Sequence, residues 1–573
     1  MAESTEPSKP TTSTSSPHNQ PYQSEPNFDK ASFYPVKIRP PDVEQVVASN
    51  SRKTRRQSVL PGTPIVPDTI SSLAKAQKAT VLAWILGLIS SIGGFMFGYT
   101  SGQISGYFGM TDFVNKFGGH LVDGKPKPVR QGTITALLFV GALFGALIAG
   151  RLADTLGRRL AISVAAFWSC VGIAIEISSQ RAWYQFALGR FVTSISIGAL
   201  SVVIPMYQSE SSPAAIRGAL VSTYQLFQAI GFWVSYLVDW GTKGIKGSAS
   251  WRIPNGLGFA WSMILGVGIC FLPESPRYAY YRGRTYEARR TISRLAGVTI
   301  DDKLVRDQIA QIREKLEEEK PSEDARLKAI FKAPRMRYRT VLGVAIQSLK
   351  QLTGAHFLLY YGTTMTGLDD SYVTQIIFGT VNVIFTLLSL YVAQIVGRRT
   401  SLMAGAASMS ACFVIYTFIG TYPLSSKDTK TSKQAGAVLI VFSSLAMAAY
   451  ASTLGPIAWA AIGELYPVRY RAFCLGIVAG SGWFFNTLLA FSTRFIVDKI
   501  HFWFGLVFVI TNLMLTAVVF FFLIEAKDRT LEEVDTMYLL HVNPIRSRKG
   551  DSSSKMRSRL EQQGSMEIDG ARQ

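Results

Sequence analysis

The sequence predicts an all-α integral membrane protein of twelve transmembrane helices, arranged as two six-helix bundles joined by a cytoplasmic helical loop. Three observations carry that expectation. Apolar runs of about 20 residues, enough to cross roughly 30 Å of hydrocarbon at 1.5 Å per residue, occur about a dozen times. Hydrophobic residues make up 48% of the 573 and fall in continuous runs, not in alternating or one-sided patterns. Finally, the second half of the chain repeats polar signatures of the first. Glu210, Pro213 and Arg217 stand at E-x-x-P-x-x-x-R, as do Glu464, Pro467 and Arg471; Gly157-Arg158-Arg159 recurs as Gly397-Arg398-Arg399; Glu274 recurs as Glu525. The offsets are 254, 240 and 251 residues, in one order, as a duplication with changed loop lengths would leave them. Such a repeat implies two bundles related by a pseudo-two-fold axis along the membrane normal, with a binding site between them near the midplane.

The net charge of +21 would in a soluble chain point to nucleic acid. Here Lys and Arg concentrate in the two ends and one long middle loop. The positive-inside bias therefore places both termini and that loop in the cytoplasm, in what is expected to be the plasma membrane, with the lipid bilayer as partner and no nucleic acid. The four cysteines, Cys170, Cys270, Cys412 and Cys474, lie in or beside apolar runs without metal-ligand spacing, so packing is their expected role and no disulfide framework is implied. No metal or cofactor is implied. The five histidines are scattered and no catalytic constellation accompanies the spans, so the chain reads as a non-enzyme.

Residues 1–78 are polar and rich in Ser, Thr and Pro, and are expected to be a disordered cytoplasmic tail without a cleavable signal. Within them RKTRRQS at 52–58 is a basic cluster before a serine, which a regulatory kinase or an anionic lipid surface would recognise if it is more than a solvated patch. The first bundle is expected over 79–277. Its first span, about 79–105, contains GGFMFGYTSGQISG, whose glycines permit close helix approach or local unwinding. An outer loop runs to about 129. The second span, to about 150, leads into GRLADTLGRR, a tight cytoplasmic turn; spans at 160–179 and 183–207 follow, the fourth carrying Arg190 into the membrane. After ESSPAAIRG the fifth span carries Gln225 and Gln228, and the sixth closes in PESPR. The charged linker, 278–339, should be helical and solvent-facing, not a separate domain. The second bundle, 340–524, takes spans at about 340–366, 371–396, 400–421, 436–463, 473–496 and 502–524, before a polar cytoplasmic tail at 525–573.

Residues 347–362, QSLKQLTGAHFLLYYG, place polar side chains inside an apolar run. Burying an amide or hydroxyl unpaired in hydrocarbon costs about 2–7 kcal/mol, so these groups should face a cavity, another helix or a ligand.

On GRLADTLGRR, PMYQSESSPAAIRG, PESPR, QSLKQLTGAHFLLYY, GPIAWAAIGELYPVRYR and IEAKDRTLEE, the chain resembles the sugar porter family of the major facilitator superfamily over nearly all of residues 79–535, and among its members fungal hexose (glucose) transporters. The resemblance implies the major facilitator fold and alternating access to a central monosaccharide site. Each sugar hydroxyl both donates and accepts, which amides match best. By motif match the expected site residues are Phe97, Gln225, Gln351, Tyr360, Asn382, Trp459 and Trp483, the tryptophans offering apolar faces to the C–H side of a pyranose. Two positions depart from the family pattern: Lys350 stands where it has a second glutamine, and His356 where it has an asparagine. Lys350 adds a charge and either reaches the sugar or points at a neighbouring helix or carbonyl. On an unbroken helix Gln351 and His356 lie about 140° apart, so both face one ligand only if the helix unwinds near Thr353 and Gly354.

Asp154, Arg151, Arg158, Glu210, Arg217, Glu274, Arg277, Glu464 and Arg471 put opposite charges at the inner helix ends, as expected of a latch between the bundles that holds the cytoplasmic face shut. Gln394 takes the place of an acid in the second copy, which should loosen it. Proton-linked relatives carry an Asp after FGY, near the Arg of the fourth span. Here that slot is Thr100, which cannot titrate, while Arg190 remains; facilitated diffusion is therefore expected. His356, which can titrate near neutral pH, keeps proton coupling open. The same motifs would suit a carrier of acidic sugars, which Lys350 and His356 would favour, or a sugar receptor with little transport. Receptors of that kind tend to have long cytoplasmic C-terminal extensions, and the 49 residues after 524 give that reading little support.

Overall fold

A computed structural model describes residues 80–119, 127–213, 216–318, 335–365, 371–422, 429–466, 468–527, 531–539 and 541–545. The expected tail at 1–78 with its basic cluster, and the chain beyond 545, lie outside the described residues. The first bundle comprises Val81–Tyr107, Pro128–Leu156, Arg158–Ser178, Trp183–Ser211, Arg217–Thr242 and Ala249–Cys270. The second has a split seventh span, Met336–Gln351 and Ala355–Met365, then Ser371–Ile395 and Arg398–Thr421. Its tenth span is Thr429–Ala449 continued through a π-turn, Tyr450–Leu454, into Gly455–Glu464; Val468–Ile500 and Gly505–Phe522 complete it.

Nine helical stretches among the described residues are long and apolar enough to cross a membrane, and the last, Cys474–Phe522, holds two helices. The fifth and seventh spans are the two that complete the twelve. They are also the spans that carry Gln225, Gln228 and Asp239, and Ser348, Lys350, Gln351 and Thr353. Apolarity is lowest where polar groups serve the interior. Leu147, Phe167, Met263, Phe484, Ile510 and Leu513 are exposed on the outside of the bundles, where only lipid solvates them well.

Glycines set the closest helix contact. Gly94, Gly98, Gly102 and Gly106 recur every fourth residue and so form one stripe of the first span. A Cβ at these positions would run into the Tyr224 carbonyl, the Gln228 carbonyl, Ser235 Oγ and Asp239 Oδ2 of the fifth span. Small residues thus let two backbones meet, the packing mode that replaces hydrophobic driving force in lipid.

The bundles meet along the second and eleventh spans and along the fifth and eighth. A Cβ on Gly132 would touch the Phe491 carbonyl, and one on Gly379 would touch Trp233. We call the side where the first span begins and the twelfth ends the termini face, and the other the far face. On the far face the short helix Thr111–Phe117 packs Phe113 and Phe117 beneath Trp251. Asp112 Oδ2 accepts hydrogen bonds from Lys116 Nζ at 2.8 Å and Trp251 Nε1 at 3.1 Å. Burial pushes the Asp112 carboxyl up, but these donors outweigh it and hold it below the usual carboxylate range.

Two expectations are corrected here. The linker is helical, at Pro276–Tyr281, Thr285–Ala296 and Lys303–Glu318, but it is not merely solvated. Ala279, Ala288, Ile292, Val305 and Ile309 form its own small core, because the 3.6-residue period aligns their apolar side chains. Of the cysteines, Cys474 is buried and Cys170 and Cys412 half-buried, whereas Cys270 is exposed and donates to Gly266 O at 3.2 Å. It sits on the outer side of its helix, where a small thiol needs no packed partner.

Candidate functional site

The seventh span supplies the first wall. It breaks at Leu352 to Gly354, the place where Gln351 and His356 required it, and Gly354 takes φ +94°, open to glycine at little cost. Freed backbone groups find partners: Thr511 Oγ1 donates to Leu352 O at 2.7 Å and Asn512 Nδ2 to Thr353 O at 3.0 Å. The tenth span breaks at the same depth, through its π-turn and Gly455-Pro456. Lys350 joins the two breaks. Its Nζ donates to Gly455 O at 3.0 Å and lies 5.7 Å from the Trp459 ring, so the lysine points at a neighbouring carbonyl.

Around these breaks lie buried polar atoms with no hydrogen-bond partner among the described residues: Gln347 Oε1, Gln351 Oε1, His356 Nδ1 and Asn486 Oδ1. Gln347 and Gln351 share one helix face, and Gln347 lies against Gly482, one turn before Asn486 on the eleventh span. Asn486 Nδ2 reaches Tyr360 Oη at 3.5 Å, and the His356 ring is 5.6 Å from Tyr360 and 5.8 Å from Tyr450. An unmade bond at a buried acceptor costs about 1–3 kcal/mol. Several such acceptors on two facing helices, with aromatic rings beside them, make a surface suited to a polyhydroxylated ligand.

Aromatic side chains complete it across the bundle boundary. Phe97 packs edge-on to Trp483 with centroids 5.4 Å apart, Phe139 lies 5.1 Å from Tyr360, and Phe232 lies 6.3 Å from Tyr360. Trp459 is 39% exposed, and Gln225 is half-buried beside Gly455. Asn382 is buried on the eighth span and accepts from Thr386 Oγ1 at 3.4 Å. Sequence reasoning placed Gln347 in the polar stretch that needs a cavity without naming it a site residue, and missed Asn486, Phe139 and Tyr450; Asn486 carried the same signal as Gln351, a polar side chain inside a span.

At the far face the bundles are joined directly. Tyr372 Oη donates to Gly106 O at 2.8 Å, Gln375 Nε2 bonds Ser105 Oγ, and Tyr236 Oη donates to Leu359 O at 2.8 Å. Lys243 Nζ sits 4.9 Å over the Tyr372 ring.

The termini face holds the duplicated charges of the expected latch. Arg158 donates through Nη2 to Glu210 Oε1 at 3.0 Å, with Nε 2.9 Å from Oε2, and lies 3.4 Å from Asp154. Glu274 Oε1 accepts from the Arg158 and Arg159 amides at 3.1 and 3.3 Å, capping the third span. The second copy matches it: Glu525 Oε1 accepts from the Arg398 amide at 2.8 Å, and Arg398 Nε donates to Glu464 Oε1 at 3.3 Å. Each cluster ties helices of its own bundle, because its members come from adjacent helix ends there. The Arg398–Glu464 contact is more exposed and longer than the Arg158–Glu210 contact. Arg217 Nη2 donates to Ser212 O at 3.4 Å, Arg151 is exposed, and Arg277 is half-buried. The side chains of Gln394 and Arg471 lie outside the described residues.

Arg190 is buried and donates to the Thr100 carbonyl at 2.9 Å, at the position where proton-linked relatives carry an aspartate. It also lies 3.9 Å from Glu176 of the third span, a buried acid that sequence reasoning missed.

Two repeated bundles, a polar site at broken helices between them and a seal on one face define a membrane carrier that works by alternating access. The family model "Sugar (and other) transporter" matches residues 86–538. The chain is 37% identical over 498 residues to "Hexose transporter 2" of Kluyveromyces lactis, covering 85% of this chain and 88% of that one. It is 37% identical over 465 residues to "Low-affinity glucose transporter HXT1" of Saccharomyces cerevisiae, covering 80% and 82%. A structure described as the partially occluded inward open conformation of the xylose transporter XylE from E. coli shares the fold at TM-score 0.67 and 20% identity, covering 79% of this chain and all of that one. The chain belongs to the sugar transporter family.

Proposed function

We propose that the protein carries a neutral hexose, glucose or a close relative, down its gradient across the plasma membrane, with both termini cytoplasmic. The observation that carries this reading is the set of buried, unpartnered atoms of Gln347, Gln351, His356 and Asn486 beside the Tyr360, Trp483 and Phe97 rings. The amide oxygens accept from sugar hydroxyls while the rings cover the C–H faces. Gln225 and Asn382 complete the site from the fifth and eighth spans, and Trp459 from its termini-face side. Lys350 is spent on Gly455 O and Trp459, which favours a neutral sugar over a hexuronate. With the far face sealed by Tyr372 and Gln375, the site is shut off from that side, and the two termini-face charge clusters keep each bundle rigid as it rocks. Thr100 leaves no titratable group at the family's coupling position, which supports facilitated diffusion. A kinase acting on the serine of the 52–58 segment would regulate it from the cytoplasm.

The test is uptake by purified protein in liposomes, comparing labelled glucose, fructose, xylose and a hexuronate with and without a pH gradient. Saturable glucose flux that stops at equal concentrations is expected. Proton-driven accumulation would overturn facilitation, and saturable binding without flux would make the protein a receptor.

A further inference from the structure

Inside the first bundle one guanidinium faces two carboxylates. Arg190, Glu176 and Asp239 are each 0% exposed. Glu176 is 3.9 Å from Arg190 and accepts from Thr193 Oγ1 at 2.7 Å, so this acid has both a counter-ion and a donor. Asp239, on the fifth span one turn from its far-face end, has no such donor: both its oxygens lack a hydrogen-bond partner among the described residues, and Arg190 acts on it only at longer range. The charged and titratable groups around it are Tyr99 and Tyr107 of the first span, Glu176 of the third, Arg190 of the fourth, Tyr236 of its own span, Lys243 one turn on and Tyr372 of the eighth. The sixth span contributes the neutral Asn255 and the Pro254 carbonyl, which Tyr99 and Gln103 occupy.

Two carboxyls share this dry interior with a single buried guanidinium, while Lys243, one turn on, is only half-buried and lies over the Tyr372 ring. Glu176 neutralises Arg190, so an ionised Asp239 would be a second anion in a dry, close-packed interior, without the donors that make such a charge tolerable. The carboxyl rests on Gly106, where the missing Cβ makes room for it. The same Gly106 gives its carbonyl to Tyr372 Oη in the far-face seal, and its neighbour Ser105 bonds Gln375. Opening that seal moves the wall of the pocket in which Asp239 is buried.

We propose that Asp239 is a proton site linked to the far-face gate: it holds a proton while the gate is closed and releases it to the outside medium when the gate opens and water reaches the carboxylate. This rests on the reading of the far face as extracellular. The proton leaves to the side from which it came, so no net proton moves with the sugar, and the site tunes the carrier without energising it. Thr100 and Asp239 then divide what one carboxylate does in proton-linked carriers: the coupling slot is empty and a titratable acid stands on the next helix. Outside acidity favours the closed far face, because that state binds the additional proton.

Two measurements test this on the full chain. In yeast lacking its own hexose carriers, the external half-saturation concentration for labelled glucose is expected to rise as the medium is acidified from pH 8 to 4.5, by at most about tenfold per pH unit for one linked proton. Asp239→Asn and Asp239→Ser should give a value that no longer varies with pH. Amide hydrogen exchange of residues 101–107 in the purified protein, corrected for intrinsic pH dependence, should show protection that grows with acidity in the wild type and stays constant in both variants. A flat wild-type profile, variants that keep the wild-type slope, or alkalinisation of the medium on adding glucose would overturn the proposal. If glucose does not cross at any pH while the protection still follows Asp239, the transport reading fails and the proton site stands.

Discussion

Gln351 ends the first half of the seventh span with an acceptor that has no partner among the described residues, and in the proposed carrier a sugar hydroxyl would fill it. Gln351→Ala should therefore lower the kcat/KM for hexose by about ten- to a hundredfold, the 1–3 kcal/mol of one buried hydrogen bond, measured as initial uptake in liposomes. Lys350 acts differently. A glutamine there still has an N–H to offer Gly455 O, so Lys350→Gln should retain most of the flux, whereas Lys350→Met, with no donor, should lose it while the protein stays folded in size-exclusion chromatography. Asp112 has its own pH signature. Its carboxyl is held low in the folded protein, so its contribution to stability is full above the ordinary carboxylate pKa of about 4 and disappears as pH falls through the lower folded value. The melting-temperature gap between wild type and Asp112→Asn should close below about pH 4.

The glycine stripe of the first span is the clearest case at the scale of an element. A side chain at Gly98 would meet the Gln228 backbone, which cannot step aside as a flexible side chain can. Gly98→Val should destabilise the first bundle by about 1–3 kcal/mol or prevent its assembly, read as a fall in melting temperature or loss of monodisperse protein. The breaks in the seventh and tenth spans show the opposite use of backbone freedom. Residues 352–354 of the seventh and 450–454 of the tenth leave helical geometry at one depth, and Lys350 bridges them. The seventh-span break was legible, because Gln351 and His356 could not otherwise serve one ligand. The π-turn was not: YASTL carries no residue that forbids a regular helix, and only the packing around it selects the wider turn.

For the whole molecule the decisive quantity is the difference in free energy between its two faces, open and closed. Tyr372 Oη to Gly106 O is a polar bond that crosses between the bundles at the far face, so its loss weakens closure there by about 0.5–1.5 kcal/mol. Tyr372→Phe should accordingly shift carriers toward the outward-open state and lower the external half-saturation concentration for glucose by about two- to tenfold, measured by zero-trans influx. At the termini face, Arg158 with Glu210 and Arg398 with Glu464 each tie helices of a single bundle in this conformation.

Hydrocarbon thickness and the duplication determined from sequence alone that this is a two-bundle membrane protein, and the resemblance of its motifs added that it is a carrier. A span must be apolar for about 20 residues, and polar exceptions such as Gln351 and Arg190 must have a reason to be there. The same rule applied to Glu176 and Asp239, each a single acid inside an apolar run, would have singled them out as well. Which partners those polar groups take was decided only by the tertiary structure. Arg190 faces Glu176 and the Thr100 carbonyl, Lys350 turns to Gly455, and Arg158 pairs within its own bundle, because each outcome depends on the rotation and depth of neighbouring helices. Helix rotation is set by side-chain packing between segments far apart in the chain, and local periodicity carries no record of it.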